Sequence, residues 1–185
     1  MNETLRTIAE RYSCRDFEST ELTAEQVDAL VDAALAAPSA MNRQPWHLIV
    51  INDKALMDEL DKAGMAILAQ ADDDTHYQRI KSRGGKILYN APAMIIVLAD
   101  DSEYAQMDSG ILSQNVALAA QSLGLGSVIN ATIGVPFKGP GAKHWKKKLQ
   151  FPEGYEFAIA VVLGTPRSSK EPHDLDRTKV TVVLS

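Results

Sequence analysis

Seven consecutive apolar residues, Ala93 to Ala99 (AMIIVLA), follow Pro92 and stop at Asp100-Asp101. The run is far shorter than the ~20 residues of a membrane-crossing helix, and its β-branched content favours a strand. A strand with no polar side chain to turn toward water belongs in the middle of a sheet, with a layer over each face. Phe157 to Leu163 is a second such run, and turn residues flank both.

The rest of the chain supplies the covering layers. Thr23, followed three residues later by Gln26, reads as a capping box, after which Val27, Leu30, Val31, Ala34 and Leu35 recur at helical spacing up to Pro38. Trp46 to Ile51 reads as a buried strand, and Leu56, Leu60, Ile67 and Leu68 predict a helix with a weak point at Gly64. Ile111, Leu112, Val116, Leu118, Ala119 and Leu123 mark a helix rich in small residues, closed by Gly124 and Gly126 before a short strand around Ser127 to Asn130. The helix pairs between strands do not repeat as single crossovers. The order therefore predicts an α+β or α/β sandwich, with a mixed, mostly antiparallel sheet flanked by helices. Val180 to Leu184 predicts a terminal strand, which needs a sheet edge that a second subunit could supply.

No repeat or linker divides the 185 residues, and 45% hydrophobic content suits one buried core, so a single domain over residues 1–185 is expected. A net charge of -5 argues against a general nucleic-acid binder, which needs an uncompensated basic face. Cys14 is the single cysteine, so no internal disulfide framework is possible. Glu3, Arg6 and Glu10 interrupt the N-terminal region, and no stretch of about 18 apolar residues occurs. The expectation is a cytoplasmic protein that neither carries a signal peptide nor spans a membrane.

Two polar segments stand out against this apolar frame. In RYSCRDF, Arg11, Ser13 and Arg15 alternate, so an extended backbone points all three to one side. Two guanidinium forks and a hydroxyl make an anion grip; the competing reading is a solvated loop whose arginines pair with Asp16 and Glu18. The second segment, Pro38-Ser39-Ala40-Met41-Asn42-Arg43-Gln44-Pro45, offers amide donors and acceptors beside Trp46, as a planar heterocycle would require. It also serves as an ordinary helix-to-strand connection, but a proline at each end stiffens it and favours binding.

Four stretches, RYSCRDF, APSAMNRQPWHLIVI, RGGKILYNAPAMIIVLA and MDSGILSQNVALAAQSLGLGSVI, in that order and spacing, resemble the FMN-dependent nitroreductase family over essentially the whole chain. The resemblance implies a homodimer with FMN at the subunit interface, NADH or NADPH as reductant, and a ping-pong cycle that delivers electrons to a nitroaromatic, quinone or similar small acceptor. The loop of Pro38, Ser39, Ala40, Met41, Asn42 and Gln44 would come from the neighbouring subunit and lie against the flavin ring. Arg11, Ser13 and Arg15 would hold the phosphate, the ribityl chain and the pyrimidine edge of the ring, with Tyr12 standing where many members carry a second arginine. Lys86 matches a basic residue near that edge, and Arg83 the polar position upstream of it. Arg177 matches a C-terminal phosphate-binding cation, with Arg167 as its rival, and Ala131 and Thr132 match the segment that passes the reactive side of the ring. A cation at the ring edge favours the electron-rich flavin; at ~4 Å and an effective dielectric of ~20 its effect is about 4 kcal/mol before screening.

With the flavin carrying the electrons, no nucleophile or metal is demanded, and none is expected here. A flavin-binding protein for storage or sensing, and a flavin-fragmenting or dehalogenating enzyme on the same fold, are the alternatives. Gly124 to Gly126 follows a helix and lacks a third glycine, so it reads as a helix stop instead of a dinucleotide fingerprint. Ala71 to His76 (ADDDTH) reads as a solvated acidic turn, Lys143 to Lys148 (KHWKKK) as a solvated helix face with one packed indole, Cys14 as a passive thiol, and His47 and His173 as isolated side chains.

Overall fold

The computed structural model describes residues 1–183. In chain order the elements are α1 (Glu3–Glu10), α2 (Ala24–Leu35), β1 (Trp46–Ile51), α3 (Lys54–Leu68), α4 (Thr75–Lys81), β2 (Ala93–Ala99), α5 (Ala105–Ser122), β3 (Gly126–Asn130), α6 (Ala142–Lys148) and β4 (Glu156–Gly164). Short 3-10 turns lie at Ala40–Asn42, Thr132–Phe137 and Arg177–Lys179. The strands form one sheet in the order β1-β2-β4-β3, with every neighbouring pair antiparallel.

All seven positions of β2 are buried, and the alternation of a strand explains why. Met94, Ile96 and Leu98 face a core made with Met57 and Leu60 of α3, Trp145 of α6, and Ile133 and Phe137. Ala93, Ile95 and Val97 face the opposite core, made with Leu30 and Ala34 of α2 and Leu112, Val116 and Ala120 of α5. Removing each large side chain from water contributes about 1.5–3 kcal/mol, so a polar residue anywhere in β2 would cost one core or the other. The expected sandwich is therefore present as three layers, with an entirely antiparallel four-stranded sheet.

Local expectations mostly hold. The Thr23 capping box forms in both directions, with Gln26 N–H donating to Thr23 Oγ1 at 3.2 Å and Thr23 N–H to Gln26 Oε1 at 2.9 Å. Gly124 ends α5 in the left-handed region, φ +72°, where glycine carries no penalty. Gly64 does not break α3. A Cβ there would lie 2.5 Å from Ile87 Cδ1, so the glycine lets the segment before β2 lie against the helix. Trp145 is buried while Lys146 pairs with Glu156 at 2.6 Å and Lys148 pairs with Glu59, which makes KHWKKK the solvated face expected of it.

The expected terminal strand finds no partner within a single copy of the chain. Val180 to Val183 have no sheet partner among the described residues and are exposed, and Leu184 lies outside those residues. Within this chain the β3 edge is taken by Ser13 and Cys14, so the edge this segment was expected to need would have to come from a second copy, as the sequence suggests.

Candidate functional site

RYSCRDF runs along the β3 edge. Ser13 bridges Ser127 in parallel, Cys14 N–H donates to Ser127 O at 2.9 Å, and Glu18 N–H donates to Thr165 O at 2.8 Å. Cys14 is fully buried under Gly126, where a Cβ would come within 2.9 Å of its Cβ and Sγ, so only glycine admits this approach. With Cys14 pointing inward, Ser13 and Arg15 point out, as the alternation requires. The pairing of these arginines with Asp16 and Glu18 does not occur: Glu18 meets Arg167 at 3.4 Å, and Arg15 Nη1 donates to Ser13 O at 3.2 Å while its guanidinium lies 6.0 Å from the centre of the Tyr89 ring. Arg11 Nε is buried with no hydrogen-bond partner, an orphaned cationic donor that an anion would satisfy.

Arg15 forms one wall of a cleft of about 130 Å³. The other walls are His76, Arg79, Ile80 and Arg83 from α4 and the turn after it, Tyr89, and the end of β3 with Asn130, Ala131 and Thr132. His76, Arg79, Ile80 and Arg83 follow helical spacing, so one face of α4 lines the cleft while buried Ile80 anchors it. Asn130 fixes the floor: its Nδ2 donates to Ile87 O at 2.8 Å and its Oδ1 accepts from Thr132 N–H at 2.9 Å. Thr132 Oγ1 and His76 Nε2 lie 3.0 Å apart, which ties α4 to the same floor. Buried Asp61 of α3 accepts Leu88 N–H at 3.0 Å; burial pushes its carboxyl pKa up, against the backbone bonds that lower it.

The cleft is smaller than the ~300–1,000 Å³ that encloses a cofactor-sized ligand, so it can take only one edge of such a molecule. The proline-bracketed loop, the other candidate surface, precedes β1 and so lies toward the opposite edge of the sheet. It is preorganised. Met41, Asn42 and Gln44 hold left-handed φ values of 53°, 53° and 51°, Gln44 N–H donates to Ser39 Oγ at 2.9 Å, and Gln44 Nε2 donates to Asn42 Oδ1 at 3.2 Å. Ala40 N–H donates to both carboxylate oxygens of Asp108, at 3.3 and 3.2 Å, and Asp108 is buried on α5. Met41 is left 72% exposed.

The remaining expected site residues are distributed differently. The Lys86 ammonium turns to Asp58 at 3.5 Å and to Asn90, and it is Arg83 that lines the cleft. Tyr12 sends its hydroxyl to the Ser168 carbonyl, and burial, with Cys14 beside it, pushes the phenol pKa up to about 12. Arg167 stays beside RYSCRDF through its N–H bond to Asp16 O at 3.0 Å, whereas Arg177 sits in an exposed turn with His173 to Val180. Sequence reading missed His76, Arg79, Tyr89 and Asn130. Its acidic turn does exist, with Asp73 accepting Thr75 N–H at 2.9 Å, and the helix that it starts carries the cleft residues. The spacing of His76, Arg79, Ile80 and Arg83 was the available signal.

Comparison with known proteins places this geometry. The profile of the Nitroreductase family matches residues 8–165. A crystal structure of a nitroreductase with bound FMN from Desulfitobacterium hafniense superposes with a TM-score of 0.95 at 46% identity, covering 100% of both chains. A protein of Archaeoglobus fulgidus, provisionally named an NADH dehydrogenase/NAD(P)H nitroreductase, is 31% identical over 95% of this chain and 92% of its own length. An FMN reductase [NAD(P)H] of Bacillus subtilis is 27% identical over 93% of this chain and 70% of its own.

Proposed function

The chain belongs to the nitroreductase family, and from that premise we propose that it is an FMN-dependent oxidoreductase whose cofactor sits between two copies of the chain. Bound there, FMN supplies two-electron transfer from NADH or NADPH to an acceptor such as a nitroaromatic or a quinone. The observation that carries the reading is the cationic cleft with the RYSCRDF segment beside it: among the described residues the guanidinium groups of Arg15 and Arg83 in the cleft have no carboxylate partner, and Arg11 Nε in the segment has no partner at all.

In this reading Arg11 and Ser13 bind the phosphate and ribityl oxygens, and Arg15 and Arg83 hold negative charge at the pyrimidine edge of the ring, where it builds up on reduction. Ala131 and Thr132 present their backbone along the ring's reactive side. Pro38, Ser39, Ala40, Met41, Asn42 and Gln44 of the second copy close the opposite side and exclude water. The outward stripe of α5, with exposed Met107, Gly110 and Ile111, supports the pairing, because a Cβ on Gly110 would meet nothing and a second helix can approach closely. The free side of β1 and the exposed apolar residues Val180, Val182 and Val183 are likewise complementary across such a dimer. We further read residues 1–185 as one domain acting in the cytoplasm, where reduced nicotinamide is available; no helix among the described residues is long and apolar enough to cross a membrane.

The purified protein is expected to be yellow, to retain FMN through gel filtration and to run as a dimer by light scattering. Anaerobic NADH or NADPH should bleach the flavin, and a quinone should restore the colour. A colourless protein that does not hold added FMN overturns the assignment, and bound flavin that neither nicotinamide bleaches would turn it into a flavin carrier or sensor.

A further inference from the structure

The cleft carries one guanidinium, Arg79, and one imidazole, His76, besides the Arg15 and Arg83 assigned above to the ring edge. Its walls carry Arg15, Arg79, Arg83 and His76 and, among the described residues, no carboxylate, in a chain of net charge -5. The nearby acids are engaged elsewhere: Asp73 accepts Thr75 N–H at 2.9 Å and Asp74 accepts Gln78 Nε2 at 2.9 Å. Arg79, in the last turn of α4, and Arg83, in the turn after it, bring two guanidinium groups to the same wall. His76 makes its side-chain bond to Thr132 Oγ1 and not to an acid, while Arg79 makes no ion pair among the described residues. Unpaired cations that converge on a cavity raise the local concentration of anions there.

His76 and Arg79 lie one turn apart on α4 and are exposed, and His76 sits against Thr132, in the segment assigned above to the reactive side of the ring. We propose that His76 and Arg79 form an anion-recognition rim, selecting second substrates that carry a phosphate or carboxylate group beyond the reacting centre. This inference rests on the flavin site proposed above. Arg79 supplies a two-pronged donor for such a group, and the contact with Thr132 positions His76 beside it. Two sources offer that chemistry: the 2′-phosphate that distinguishes NADPH from NADH, or a carboxylate on the acceptor.

The test uses FMN-loaded protein, parent and Arg79→Gln, Arg79→Lys and His76→Asn variants, with two matched pairs: NADPH against NADH, and 4-nitrobenzoate against nitrobenzene. In Arg79→Gln the kcat/KM preference for the anionic member of one pair is expected to fall about tenfold, with Arg79→Lys recovering part of it and His76→Asn causing a smaller loss. Added salt should erode the parent's preference in the same direction. A change confined to the nicotinamide pair assigns the rim to the 2′-phosphate, and one confined to the nitroaromatic pair assigns it to the acceptor. Unchanged preferences in both pairs overturn the proposal while leaving the flavin site standing. Arg79→Gln protein that sheds its FMN also overturns it, because Arg79 would then be a flavin ligand. Loss of the flavin site itself shows in the parent protein, which would be colourless before any variant is made.

Discussion

The two polar regions of this molecule lie toward opposite edges of one sheet and use their polar groups in opposite ways. The loop before β1 satisfies itself: Ser39, Asn42, Gln44 and Ala40 N–H are bonded within the loop or to buried Asp108. The cleft beside β3 and the segment leading into it leave their cations open, with Arg11 Nε of that segment buried and unbonded and Arg15, Arg79 and Arg83 of the cleft unpaired with any carboxylate among the described residues. One region is built for shape and the other for charge. A site assembled from both takes its rigidity from the first and its affinity from the second, so damage to each should show in different measurements.

The sharpest break removes the charge. Replacing both Arg11 and Arg15 by Met should weaken FMN binding about 100-fold or more, since each charge-assisted hydrogen bond contributes ~1.5–3 kcal/mol and ~1.4 kcal/mol is tenfold. The urea midpoint of flavin-free protein should stay level or rise, because an orphaned donor leaves the interior. A clearly lower midpoint would mean that those cations already have partners, and the contrast would fail. On the other side, Asp108→Ala strips the loop of its anchor and leaves Ala40 N–H unbonded, for an expected loss of about 1–3 kcal/mol in urea unfolding that Asp108→Asn partly restores. An unchanged midpoint in the alanine variant would separate Asp108 from the loop's rigidity.

Smaller effects refine the picture. Tyr12 ionises near 12 in the folded chain against an ordinary value of 10.0, chiefly through burial, so the folded state favours the neutral phenol. Its contribution to stability is complete below about pH 10 and disappears as the pH climbs through about 12, and Tyr12→Phe should flatten that part of the pH profile. A variant with the same alkaline decline as the parent would assign the decline to other groups. Smallest of all, Met41→Gly relieves a left-handed residue at φ 53° whose side chain is 72% exposed, a gain of about 1 kcal/mol or less after the added freedom of the unfolded chain. A marked drop in thermal midpoint would show that the Met41 side chain is held after all.

The frame of this molecule was legible in the sequence because burial on both faces leaves a period-free apolar run, as in Ala93 to Ala99, and because Thr23 and Gln26 announce a helix start locally. The two polar segments could be found for the same reason, as interruptions of an apolar pattern. What stayed hidden depended on contacts between distant elements. Gly64 looks like a defect until Ile87 is seen lying on it. Lys86 and Arg83 are alike as letters, and only Asp58, brought alongside by α3, draws the lysine out of the cleft. α4 escaped notice because seven residues after an acidic turn give too short a pattern to read.

The bonds that stitch RYSCRDF to Ser127 and Thr165 join positions more than a hundred residues apart. Closing loops of that length comes late in folding, after the strand pairings of shorter sequence separation, β3 with β4 and β1 with β2, are made. Capacity to take up a phosphate should therefore lag behind the appearance of sheet structure during refolding, and flavin added at the start should act as a latch on the final step, raising the yield of finished molecules and leaving the early phases alone.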